Sequence, residues 1–87
     1  MGNYPNPFNP SITIVYTLAE EGPVRLSVYN ALGQLVRVLV EDVQALGSYE
    51  LEWDSTDALG DQVGAGIYFY RLEAGARAAT NKMLLIR

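Results

Sequence analysis

The run Tyr49-Glu50-Leu51-Glu52-Trp53-Asp54 decides the fold class of this 87-residue chain. Its apolar and acidic residues alternate strictly, so one row of side chains would face a core while a row of carboxylates faces water. A period of two is the pattern of a half-buried β-strand, whereas the apolar positions of a helix recur every three to four residues. The segment therefore predicts a strand with an unambiguous inner face.

Short apolar segments with the same period lie on both sides of this run. Before it, residues 12–18 and 24–29 each predict a strand, and residues 35–41 are β-branched and nearly continuously apolar. The last of these segments predicts a more buried strand, with a short helix as the alternative. After it, residues 67–73 resume the alternation, and a hairpin turn leads to a final strand at residues 77–87.

Glycine, proline and acidic residues separate these segments about every ten residues, as turns do in all-β proteins. The pattern predicts an all-β fold, an immunoglobulin-like antiparallel β-sandwich of about seven short strands. The immunoglobulin disulfide is missing because the chain has no cysteine, so the name describes architecture alone. The length allows one domain, which we place at residues 3–87, and we interpret Met1-Gly2 as cloning residues.

The composition excludes several classes of function. Histidine and cysteine are both absent, which removes the usual nucleophile-base pairs and the ordinary zinc sites. The net charge of −4 comes without a basic patch, so nucleic acid is not expected as a partner. No apolar stretch approaches the roughly 20 residues of a membrane-spanning helix, and we expect no transmembrane segment, no cofactor and no enzymatic activity.

The acidic face of the first segment offers one candidate for catalysis. Glu50, Glu52 and Asp54 lie two residues apart, which would separate neighbouring carboxyl groups by roughly 6 to 7 Å, a distance that glycosidases use. Any solvent-facing acidic strand produces the same spacing, and no apolar pocket is indicated that would raise one pKa. We therefore interpret the row as a solvated face.

The loop after this strand offers a candidate for metal binding. Asp54, Asp57 and Asp61 surround Gly60 and resemble a sparse calcium loop, since hard cations take several oxygen ligands from one turn. The EF-hand pattern is not met, and aspartates also cap turns through hydrogen bonds to the backbone. Turn capping is the favoured interpretation, with calcium binding as the weaker alternative.

The aromatic residues could form a stacking platform for sugars, which would make the domain a carbohydrate-binding module. Most of them share a phase with the apolar face of their strand, where packing in the core is the ordinary explanation. The residues concerned are Tyr4, Tyr29, Trp53, Tyr68 and Tyr70.

Five separate stretches of the chain point to a known family. They are residues 3–11 (NYPNPFNPS), residues 28–34 (VYNALGQ), Trp53-Asp54, residues 66–72 (GIYFYRL) and Lys82-Met83. Together they resemble the type A C-terminal sorting domain of the type IX secretion system. The part from Trp53 to Leu72 is also similar to the immunoglobulin-like domain of flagellar hook-capping proteins.

This resemblance implies a non-catalytic sorting signal. Proteins of the Bacteroidetes and neighbouring phyla carry such a domain C-terminal to a covalently attached cargo domain. The type IX machinery at the outer membrane then exports the cargo from the periplasm to the cell surface or the medium. A carbohydrate-binding or structural spacer module of an exported hydrolase is the alternative function.

The resemblance also assigns residues to roles. Recognition by the secretion machinery is transferred to the final basic and apolar segment: Lys82, Met83, Leu84, Leu85, Ile86 and Arg87. A structural role is transferred to the other motif residues: Asn6, Pro7, Phe8, Asn9, Pro10, Trp53, Gly66 and Tyr68. Prolines hold the opening segment extended, and Phe8 is expected to plug the edge of the sandwich.

Overall fold

The computed structural model describes the backbone of residues 2–4 and all atoms of residues 11–86. These residues contain seven β-strands and no helix. The strands are β1 (Gly2–Tyr4), β2 (Ile12–Leu18), β3 (Gly22–Asn30), β4 (Leu35–Gln44), β5 (Gly47–Trp53), β6 (Gly66–Ala74) and β7 (Arg77–Leu85).

The strands form two antiparallel sheets that pack face to face. One sheet has the order β1-β2-β5 and the other the order β4-β3-β6-β7. The chain crosses between the sheets after β2, β4 and β5, as expected for a sandwich in which each sheet covers the apolar face of the other. The prediction of an all-β, immunoglobulin-like antiparallel sandwich is confirmed.

The core consists of every second residue of the central strands. In β2 this row is Ile12, Ile14, Tyr16 and Leu18, as the sequence pattern predicted. The remaining core residues come from β3, β5, β6 and β7: Val24, Leu26, Val28, Trp53, Tyr68, Tyr70, Leu72, Met83 and Leu85. Burial of each large side chain stabilises the fold by about 1.5–3 kcal/mol.

The prediction for residues 35–41 was right about the strand and wrong about its burial. β4 lies at the edge of its sheet and pairs with β3 alone, so its side chains are half-buried or exposed. Leu35, for example, is 51% exposed. Register shifts between Leu26 and Ser27 and between Val28 and Tyr29 also interrupt the ladder, which prevents β4 from presenting one regular inner face.

The predicted hairpin before the last strand is present. Ala74 pairs with Arg77, so the turn between β6 and β7 consists of Gly75 and Ala76. Gly75 has a φ of +61°, a left-handed conformation that a tight hairpin turn needs and that glycine adopts without a steric cost.

Candidate functional site

The final strand divides the proposed recognition residues between two faces. Met83 and Leu85 point into the core and are 0% and 1% exposed. Lys82, Leu84 and Ile86 alternate with them and are exposed. Arg87 lies outside the described residues. A partner that binds the folded domain would therefore contact the outer row and not the whole segment.

β6 holds this outer row in place. Phe69 of β6 lies opposite Lys82, and Ile67 lies opposite Leu84. Ile67 and Leu84 are 42% and 41% exposed, so they form an apolar pair on the outer surface of the sheet. β7 is the edge strand of this sheet, and edge strands are where a second chain can add to a sheet.

Trp53, Tyr68 and Gly66 join the two sheets at one end of the sandwich. The Trp53 indole N–H donates to the carbonyl of Thr56 at 2.9 Å, and the Tyr68 hydroxyl donates to the carbonyl of Gly64 at 2.6 Å. The two rings meet edge to face with centroids 5.5 Å apart. These motif residues are core and turn residues, whereas Asn6, Pro7, Phe8, Asn9 and Pro10 lie outside the described residues.

The loop after β5 uses its aspartates to hold its own backbone. The Asp57 carboxylate accepts hydrogen bonds from the backbone N–H groups of Leu59 at 2.9 Å and Asp61 at 3.1 Å. Asp54 accepts from Thr56 instead, and within residues 2–4 and 11–86 no group of acidic side chains is placed to hold a metal ion. The structure thus does not bring Asp54, Asp57 and Asp61 together as calcium ligands.

Arg37 links β4 to this loop through Asp54 and Thr56. Its guanidinium lies 3.5 Å from the Asp54 carboxylate and also bonds the Thr56 hydroxyl. The hydrogen bond from the Thr56 hydroxyl to Asp54, 2.5 Å long, together with the Arg37 charge lowers the pKa of that carboxyl. No sequence pattern indicated this cluster, because Arg37 lies in β4 and its two partners lie 17 and 19 residues later, in the loop after β5.

The acidic row of β5 lies on the surface. Glu50 and Glu52 are exposed on the face of β5 opposite Trp53, and Asp54, which directly follows the strand, is exposed as well. Of the aromatic residues considered for a sugar-binding platform, Trp53, Tyr68 and Tyr70 are buried and Tyr29 is half-buried. The side chain of Tyr4 lies outside the part of the chain that the structure describes.

A second aromatic contact lies between the ends of β2 and β5. Tyr16 stacks on Tyr49 with ring centroids 5.2 Å apart, and its hydroxyl donates to the Gln44 side chain at 2.7 Å. Burial raises the pKa of the Tyr16 hydroxyl, although this hydrogen bond opposes the effect. The contact ties β2, β4 and β5 together, and the sequence showed only that Tyr16 and Tyr49 face inward.

No curated protein matches this chain. Its fold is similar to three solved structures. It shares 25% identity with FlgD from Xanthomonas campestris, with a TM-score of 0.68 and 94% of this chain covered. It shares 24% identity with the dimeric latent PorU from Porphyromonas gingivalis over 97% of this chain, with a TM-score of 0.74.

The third structure is PorZ from Porphyromonas gingivalis, described as an essential bacterial surface component of the type IX secretion system. The identity is 20% over 99% of this chain, with a TM-score of 0.66. This chain spans 60% of the FlgD structure, 9% of PorU and 11% of PorZ.

A family profile gives the assignment. Residues 10–78, which include β2 to β6 and the loop between β5 and β6, match the FlgD Ig-like domain. The match covers most of the chain and agrees with the observed sandwich, and so the chain belongs to the FlgD Ig-like domain family.

Proposed function

We propose that this domain is a non-catalytic C-terminal sorting signal that directs an attached cargo protein through the type IX secretion system. The observation that carries the proposal is the exposed row formed by Lys82 and Leu84 on the last strand and Ile86 directly after it, at the edge of a sheet. The partners are the secretion machinery at the outer membrane and the N-terminal cargo domain. The destination is the cell surface or the medium after transit through the periplasm.

The geometry of the last strand suits recognition of the folded domain. Met83 and Leu85 anchor the strand in the core, which fixes the direction in which the outer row points. A partner that adds to an edge strand gains affinity from backbone hydrogen bonds and selectivity from alternate side chains. The alternation of one basic and two apolar side chains supplies such a pattern.

The comparisons support this proposal only at the level of fold. Membership of the FlgD Ig-like family is compatible with a structural module as well as with a sorting signal. The likeness to PorZ connects this kind of sandwich with a surface component of the type IX system. The sorting role itself rests on the final strand and on the motifs in the sequence.

A non-catalytic role agrees with the chemistry of the described side chains. A carboxylic acid that donates a proton at neutral pH needs a raised pKa, and the pKa of Asp54 is lowered. Glu50 and Glu52 lie on an exposed face of β5.

The test is export of a reporter fused to the N-terminus of the domain in a bacterium with a working type IX system. Deleting residues 82–87 would remove Met83 and Leu85 from the core, so loss of export could reflect unfolding. The informative variant carries Leu84→Ser and Ile86→Ser, which leave the core intact. The matched control carries Leu32→Ser and Leu59→Ser, which replace apolar residues that are 84% and 87% exposed elsewhere.

We expect export of the intact fusion and of the control, and retention of the Leu84→Ser, Ile86→Ser fusion in the periplasm. Circular dichroism of the purified domains would show that both variants remain folded. Export of both variants would place the signal elsewhere, and retention of every fusion, including the intact one, would favour the structural spacer.

A further inference from the structure

The residues on the inner face of β7 are buried at one end of the strand and exposed at the other. Met83 and Leu85 are buried, but Arg77 and Ala79, which belong to the same face of the strand, are exposed. Because alternate residues of a strand point to the same side, the inner face of the first half of β7 is not covered by the opposite sheet. The sandwich is therefore open at this end.

The opening lies beyond the N-terminal end of β1. β1 pairs with Thr13, Ile14 and Val15 of β2. Among the described residues, Tyr16, Thr17 and Leu18 pair only with β5 and have no strand on the β1 side. A groove of about 550 Å³ lies where that strand would continue, between the end of β2 and the start of β7.

We infer that this groove is a docking site for the polypeptide that continues β1 upstream of Asn3 when the domain is part of a longer protein. Gly2 lies opposite Val15, so residues before it, in the same antiparallel register, would lie opposite Tyr16, Thr17 and Leu18. The segment would extend β1 and complete the three-stranded sheet over the first half of β7.

The groove favours a particular pattern of residues. Residues directly opposite each other on antiparallel strands point to the same face, so those opposite Tyr16 and Leu18 would face the interior. There they would meet Leu18, Leu72 and Ala74. Small or medium apolar residues suit these positions, with a polar residue between them opposite Thr17.

The preceding segment is favoured over a separate partner because it is covalently continuous with β1. The N-terminal end of β1 leads directly toward the groove, so the added residues would continue an existing ladder without closing a loop. A second copy of the chain would have to supply the same strand at the cost of association.

The test compares three chains in which Met1 is replaced by a tripeptide after a common polar leader. Val-Thr-Val places its valines opposite Tyr16 and Leu18. Thr-Val-Thr turns its valine to the outer face, and Gly-Ser-Gly controls for length. We expect Val-Thr-Val to raise the thermal midpoint by about 4–8 °C over both controls and to slow hydrogen exchange within residues 16–18.

A change in the groove itself gives a second measurement. Ala79→Glu should erase the gain of the Val-Thr-Val chain while leaving the Gly-Ser-Gly chain unchanged, because Ala79 is exposed when the groove is empty. Equal midpoints for the three tripeptides would overturn the inference. A gain that rises with protein concentration would show that a second copy, and not the preceding segment, fills the groove.

Discussion

Truncation of neighbouring residues in the last strand should lower the stability of the domain by very different amounts. Met83 is fully buried, so Met83→Ala should lower the free energy of unfolding by about 2–5 kcal/mol through lost burial and a residual cavity. Leu84 is 41% exposed, and Leu84→Ala should cost below about 1 kcal/mol. A domain of this size has a total stability of roughly 4–13 kcal/mol, so the first change is severe.

Urea titration followed by the fluorescence of Trp53, the only tryptophan, measures both values. Leu85→Ala should behave like Met83→Ala, and Ile86→Ala like Leu84→Ala, because the burial of these residues alternates. A larger loss for Leu84→Ala than for Met83→Ala would refute the reasoning, since a slip of one residue in the pairing of β6 and β7 exchanges the two faces.

Three further predictions concern the end of the sandwich that contains the loop after β5. Gly66 has a φ of +148°, so Gly66→Ala should cost about 1–3 kcal/mol in chemical denaturation through backbone strain, whereas Gly64→Ala, without that constraint, should be nearly neutral. The pKa of Asp54 is lowered by folding, so its contribution to stability is present above about pH 4 and lost as the pH falls below it; Asp54→Asn should flatten this part of a stability-pH profile. Trp53→Phe removes the N–H donor to Thr56 and should cost about 1–3 kcal/mol by urea titration monitored with circular dichroism, and a neutral effect would show that water replaces the donor.

Alternation predicted the fold best where a strand packs on one side only. β2 and β6 bury every second residue, which is the period of two that predicted a strand in each of these segments. These strands follow the pattern because a sheet face either meets the other sheet or meets water.

The sequence was least informative where burial depends on what lies beside a strand. β4 has the apolar composition of a central strand, but its position at a sheet edge leaves it half-buried. The burial of Ala79 likewise depends on how far β1 extends over it, and β1 lies more than 70 residues earlier in the chain. Composition within a segment carries no information about such distant neighbours.

For the candidate site, the sequence indicated the segment but not which of its residues are buried and which are exposed. Residues 82–86 form one apolar and basic run, and the structure separates Met83 and Leu85 from Lys82, Leu84 and Ile86. The alternation predicted the two rows, but only the packing of Met83 beside Tyr68 shows which row faces inward.

The pairing of β3 has a consequence for the order of folding. This strand lies between β4 and β6, and its partner Leu72 is 46 residues from Leu26 along the chain. The core also needs Met83 and Leu85, which lie on the last strand, β7. Because non-local contacts form slowly, the sandwich should close only once β7 is available, and should remain open to chaperones until then.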